Sequence, residues 1–285
     1  MNTLIIFSLC TLATIKVALQ SRFGKKFLKA RSSLVLFNGI VFLTAAILFC
    51  TDIPKAALQT WLFSAVFSVF TVIFQLTYTN ALSIGNVSLT VMMVNLSMLF
   101  PVAVSLVFYG EPLTPTRVLG IALTIISFTI CVDRKEQTPV SRKWLLLAIS
   151  AALANAGIGI TQKIFGASEY HLQKESFVAC SYGIAFLITM AIYFVTISRE
   201  KRSDTPPKKS IYAIAISVGI VLAIFQWLNT YAISIIDGSL LFPTYSGGAI
   251  IMSTVAGIIF FKDKLSLKQG ISITVGIIAV IIMNL

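Results

Sequence analysis

The chain has 285 residues, 57% of them hydrophobic and 11% charged, with a formal net charge of +12. Soluble domains carry about 25% charged residues, so one aqueous core could not hide this much apolar surface and lipid has to be the solvent for most of it. The basic residues sit between apolar stretches and form no continuous face, which sets aside a nucleic-acid partner.

Apolar runs of about 20 residues, the length that crosses the hydrocarbon, recur between charged or turn-rich breaks. They predict an all-α integral membrane protein of ten transmembrane helices, spans 1 to 10, at roughly 1–20, 33–51, 57–81, 87–109, 115–132, 143–166, 174–197, 211–236, 239–261 and 267–285. The runs are continuous and lack the period-2 alternation of lipid-facing barrel strands. Span 1, MNTLIIFSLCTLATIKVALQ, lacks the basic start and small-residue cleavage site of a signal peptide and reads as a retained helix. It carries Lys16, whose counterpart in span 6 is Lys163. Both fall within about a turn of a predicted helix end, so each either snorkels to the interface on its methylene stem or serves as a gate or an attractor of anions.

Span 3 sets Ser64, Ser68, Thr71, Gln75, Tyr78 and Thr79 at helical spacing on one face. An amide in hydrocarbon is costly unless paired, so Gln75 is expected to face protein or a watered cavity. Span 4 holds Asn95 near its middle and Pro101 in its interior, where proline removes a backbone hydrogen bond and kinks the helix. In span 6, Ala151, Asn155, Gly159 and Lys163 form a small, polar face. His171, in the short connection to span 7, is expected to be solvated. Span 8 answers the face of span 3 with Ala215, Gly219, Gln226, Asn229 and Thr230. Span 9 carries FPTYSGG at 242–248, a second proline-interrupted segment, followed by a small-xxx-small ladder of Ala249, Ser253 and Gly257.

The stretch FQLTYTNALSIGNVSL from Phe74 matches FQWLNTYAISIIDGSL from Phe225 at eight of sixteen places. A charged linker at 133–142 divides the chain into halves of five spans, 1–132 and 143–285. Because five is odd, the second half enters the membrane from the opposite side, and two homologous halves become inverted repeats. Loops 1–2, 5–6, 7–8 and 9–10 together hold 17 Lys and Arg, whereas the opposite side holds only Lys55, Arg117 and Lys174. The basic side is the cytoplasmic one, so the linker is expected inside and both termini outside.

Gln75 and Gln226 thus read either as a pseudo-symmetric pair lining a central pathway or as helix-to-helix hydrogen bonds. Tyr78, Trp227 and Tyr231 supply either an aromatic wall or ordinary core packing. Interrupted segments at corresponding positions of two halves point to a transporter's site, unless the prolines only kink. All ten acidic residues fall in loops or at span ends, leaving no carboxylate in mid-membrane for a cation or a proton relay. There is no Ser/His/Asp set, metal-ligand cluster or phosphate loop, and Cys10, Cys50, Cys131 and Cys180 have no CxxC spacing. The chain is therefore expected to be no enzyme, with no catalytic residues, cofactor or metal.

Two equivalent connections read GEPLT at 110–114 and KDKLS at 262–266. Thr114 is placed to cap span 5 with Pro115 at its first position, and Ser266 with Gln269 forms a capping box for span 10. With the two inverted five-span halves and FPVAVSLVFYGEPLT around the span 4 proline, these motifs resemble the drug/metabolite transporter superfamily, in particular its EamA-like ten-helix group, over the whole chain. The resemblance implies a secondary transporter, often an exporter of amino acids or other small metabolites, that works by alternating access through a cavity built from spans 1, 3, 4, 6, 8 and 9. Two features depart from the pattern. Span 1 lacks the membrane glutamate of the small multidrug-resistance relatives, against proton-coupled efflux of lipophilic cations. The Lys and Arg count also places outside the termini that family members are often described as keeping in the cytoplasm.

The expected function is export across the plasma membrane of a small neutral or zwitterionic metabolite such as an amino acid, an anionic one not being set aside. Gln75, Tyr78, Asn95, Gln226, Trp227, Asn229 and Tyr245 are expected to bind the substrate, with Lys16 and Lys163 near opposite mouths. The alternatives are a flippase for a lipid-linked substrate, an accessory membrane subunit, or multidrug efflux. Expected partners are the small-molecule substrate and membrane lipids; the sequence does not encode a readable oligomeric state.

Overall fold

The computed structural model of the protein describes residues 2–28, 30–85, 87–131, 141–199, 209–261 and 267–283. The elements among them are helices: α1 (Asn2–Phe27), α2 (Arg31–Ile47), α3 (Leu58–Ile84), α4 (Val87–Leu96), α5 (Leu99–Phe108), α6 (Pro115–Cys131), α7 (Arg142–Ala167), α8 (Lys174–Arg199), α9 (Lys209–Ile235), α10 (Gly238–Phe261) and α11 (Leu267–Met283), with short 3-10 helices at Cys50–Lys55 and His171–Gln173. Among the described residues, five stretches are long and apolar enough to cross a membrane, namely Thr3–Gly24, Leu58–Ile84, Arg142–Ala167, His171–Ser198 and Ser210–Ile235. Arg31–Ile47, Met93–Phe108 and Pro115–Ser127 are apolar but shorter.

Span 4 is two helices, and the break falls at Ser97 and Met98 rather than at the proline. Pro101 has no N–H to offer the Ser97 carbonyl, so the preceding turn tightens. The amides of Ser97 and Met98 bond to Val94 and Asn95 at 3.1 Å each, and Phe100 bonds to Ser97 at 3.2 Å. Pro101 then lies in the first turn of α5, where a missing N–H costs little. From α7, Asn155 Nδ2 donates to Ser97 Oγ at 2.9 Å and to the Val94 carbonyl at 3.4 Å, stapling the break. Span 9 corrects the expectation of a matching interruption. Here α10 runs unbroken through Pro243, and the chain bends before it, at Ile236 and Asp237.

The GEPLT connection folds as its residues direct. Gly110 takes a left-handed φ of 59° that a side chain would resist, and Thr114 Oγ1 accepts from the Arg117 amide at 3.3 Å to cap α6. The matching Ser266 cap lies outside the described residues. A further difference is the reach of α1, which continues to Phe27, well past the predicted end near residue 20. Lys16 and Gln20 are therefore interior to the helix, and Lys16 does not snorkel.

Contacts between the halves come in matched pairs. The first helix of each half lies against the other: α1 on α9 and α10, α7 on α3, α4 and α5. Likewise α2 packs on α8 and α9, α8 on α2 and α3, and α6 on α11. Close approach needs small residues. A Cβ on Gly219 of α9 would stand 2.8 Å from the Val41 carbonyl of α2. Three apolar clusters result among the described residues, a small one at Ala81, Trp144 and Ala148 and two large ones. One gathers Leu9, Tyr78, Val94, Phe225 and Leu241; the other gathers Phe37, Phe67, Phe165, Phe177 and Tyr182, with the Phe165 and Phe177 rings stacked at 4.2 Å.

Candidate functional site

A cavity of about 120 Å³ opens where the two large clusters meet, with Phe74, Val94 and Phe225 of the first and Phe67, Tyr182 and Leu222 of the second in its wall. Gln75, Tyr78, Asn95, Gln226, Asn229, Tyr245 and Lys16 all line it. The two glutamines are almost wholly buried, and each does two things at once. Gln20 Nε2 donates to Gln75 Oε1 at 2.9 Å, and the Tyr182 hydroxyl donates to Gln226 Oε1 at 3.4 Å. The Nε2 group of each glutamine has no partner among the described residues. So the oxygens tie helices together while the amide donors stay unsatisfied, a costly arrangement for buried groups.

The remaining polar wall is better paired. Asn229 Nδ2 donates to Gln162 Oε1 at 3.0 Å, and Gln162 Nε2 to Thr230 Oγ1 at 3.1 Å, locking α7 to α9. Asn95 Nδ2 bonds back to the Val91 carbonyl at 2.9 Å. Tyr78 stacks on Phe74, and the Tyr245 ring tilts against Phe225. Trp227 is the exception among the expected substrate contacts. One residue past Gln226 is a rotation of about 100° on a helix, which carries its ring away from the cavity. Its Nε1 donates to Glu175 Oε1 at 2.7 Å, and the ring stacks on Tyr231.

The two counterpart lysines have opposite surroundings. Lys16 is 8% exposed, and its ammonium lies 5.7 Å from the Phe74 ring centre and 5.2 Å from that of Phe225. Among the described residues it has no carboxylate or hydrogen-bond partner. Lys163 does not line the cavity; it is paired with Glu111. The same carboxylate accepts from the Gly238 amide at 3.0 Å and the Ser239 amide at 2.8 Å, an anion seated on the N-terminus of α10. Beside it, Arg117 reaches Asp237 at 2.7 Å and Ser239 Oγ at 2.9 Å. Burial pushes the Glu111 carboxyl up, but Lys163 and the two amides outweigh it and hold its pKa below the ordinary 4.5. This cluster ties the GEPLT loop to α7 and α10, four residues along from the cavity-lining Gly159 and Phe242. His171 is not merely solvated, since its Nδ1 lies 2.9 Å from the Ser168 carbonyl.

Gln20, Gln162 and Glu111 were not among the expected site residues. The first stood at a predicted helix end, the second was masked by its neighbour Lys163, and the third was read only as part of a capping motif. Among the described residues no three His, Cys, Asp or Glu gather to hold a metal ion.

A profile of the EamA-like transporter family matches residues 4–132 and 142–285. The chain belongs to the EamA-like transporter family. As a member of a transporter family with membrane-spanning helices, it is a multi-pass membrane protein that acts on a small-molecule substrate. A chain of known crystal structure aligns over 99% of this protein and 95% of its own length, with a TM-score of 0.75 and 14% identity, a likeness of fold. Comparison with curated proteins returns no match. The EamA-like profile covers both glutamines, both lysines and Glu111, so the cavity and the Glu111 cluster lie in the family's part of the chain.

Proposed function

We propose that the protein is a secondary transporter of the plasma membrane that exports a small metabolite of amino-acid size by alternating access. The halves 1–132 and 143–285 act as inverted repeats, with the linker at 133–142 in the cytoplasm and both termini outside. The observation that carries this reading is the cavity lined from both halves, with amide donors in its wall that are unpaired among the described residues. Alternating access requires a site that one set of contacts seals while another releases it. Lys16 is the only charged side chain among the described residues of the wall, so the cavity suits neutral, zwitterionic and anionic solutes and repels cations. Its volume of about 120 Å³ is small beside the roughly 300–1,000 Å³ of drug-sized sites, which weighs against multidrug efflux and a lipid-linked cargo.

The test is counterflow in proteoliposomes, preloaded with a pool of amino acids and small organic acids and challenged with labelled ones, a lipophilic cation serving as comparison. Saturable exchange that disappears in the Gln75→Ala/Gln226→Ala double variant is the expected result. Silence with every solute, from protein shown to be folded, would overturn the transport reading and favour a flippase or an accessory subunit.

A further inference from the structure

The duplicated phrase opens with the same two residues in each copy, Phe74–Gln75 and Phe225–Gln226. In the folded chain these pairs converge on one side chain from the other end of the sequence. The two phenylalanine rings hold the Lys16 ammonium, and the two glutamines that follow them each present an unpaired Nε2 group from a buried position. Thr71, one turn before Gln75, adds a buried hydroxyl without a partner to the same wall. The cavity therefore concentrates donors. It holds one cation, two free amide groups and a free hydroxyl, with no carboxylate among its described lining residues.

We propose that the cavity is a carboxylate site, in which the cargo's carboxylate lies against Lys16 and takes the free amide donors of Gln75 and Gln226, and that the preferred cargo is a small organic monoanion. This deepens the transport reading and rests on it for the word cargo; the binding site itself does not. A buried cation without a counter-ion is costly, and aromatic faces recover only part of the lost hydration. A ligand of net charge −1 neutralises the site. A zwitterion of the same skeleton satisfies the donors but brings a second ammonium into a cavity that already holds one. A neutral amide offers a single acceptor oxygen and leaves Lys16 unneutralised. The order of affinity is thus carboxylate, then 2-amino acid, then amide. The apolar rings of Phe74, Phe225 and Phe242 around the donors suit a short hydrocarbon body, and the small volume restricts it to a few carbons.

The experiment is equilibrium binding to the purified full-length protein in detergent, by calorimetry and thermal shift. The probes are matched sets of three to five carbons, for example butyrate, 2-aminobutyrate and butyramide. Each step down the series is expected to weaken binding by roughly tenfold or more, the scale of a charge-assisted hydrogen bond. Lys16→Met is expected to remove the difference between butyrate and butyramide, while Lys16→Arg, which keeps the cation, preserves its direction. Equal or tighter binding of 2-aminobutyrate overturns the proposal. So does no binding by any carboxylate, or a carboxylate preference that survives Lys16→Met in folded protein. The two readings fail separately. Lys16-dependent carboxylate binding with silent counterflow sinks transport and leaves the site, whereas amino-acid exchange without carboxylate binding does the reverse.

Discussion

Lys163 keeps a charge beneath the surface because Glu111 faces it, and Glu111 in turn is held by the first two amides of α10. The carboxylate has three partners, so its loss is felt three times. Glu111→Gln leaves a buried cation without a counter-charge and takes the anion from a helix N-terminus. Breaking a buried pair on one side costs about 3–5 kcal/mol, and the variant is expected to melt earlier by circular dichroism. Adding Lys163→Met removes the stranded charge and should restore much of the loss. The pH dependence follows from the direction of the shift. The folded-state pKa is depressed below 4.5, so the pair contributes fully above the ordinary carboxylate value. That contribution is lost only as pH falls further, through the lowered value. Wild-type stability should therefore decline more steeply than that of the double variant below pH 4.5 and run parallel to it at neutral pH. Parallel curves throughout would remove Glu111 as the anchor of this end.

At the scale of helices, the break between α4 and α5 stands because a neighbour satisfies it. Membrane helices tolerate freed backbone groups where an adjoining helix supplies partners, and Asn155 supplies them to Val94 and Ser97. Asn155→Ala removes the cross-helix hydrogen bond, at a cost of about 0.5–1.5 kcal/mol, since the Val94 carbonyl keeps the Ser97 amide and hydroxyl. Amide exchange at residues 94–98 should quicken relative to the rest of α4; unchanged exchange there would show that the tightened turn holds by itself. Pro101 announced a disturbance in the sequence, but the position of the break depends on how Ser97 rebonds and on an asparagine 58 residues away. Pro243 shows the converse, a proline that α10 absorbs without a break. Long spans were legible because apolar runs are continuous and lipid leaves helices few alternatives. Helix ends were less so. Arg22 and Lys26 ended span 1 in a reading by hydrophobicity, yet both residues are good helix formers, and α1 runs through them. Duplication exposed Gln75, Gln226 and the lysine pair. Glu111 escaped because its partners lie 52 and 127 residues away, and a loop carboxylate carries no local sign of them.

Across the whole molecule, the role of the Lys163–Glu111 pair turns on which side of the membrane it faces. The Glu111 cluster joins the α5–α6 loop to the last turns of α7 and the start of α10. The same side of the molecule carries the 3-10 helix Cys50–Lys55, which docks on α8 through Ser176 Oγ and the Asp52 carbonyl at 2.7 Å. The Lys and Arg count leads to the expectation that this side lies outside, which would put the Glu111 cluster at the exterior face. A native residue reports the answer. Cys50 is exposed on this side, while Cys10 and Cys180 are buried. With Cys10, Cys131 and Cys180 replaced by serine or alanine, a membrane-impermeant maleimide is expected to label Cys50 in intact cells, and Cys50→Ser to abolish the signal. Labelling only after permeabilisation would reverse the orientation and put the Glu111 cluster on the cytoplasmic side.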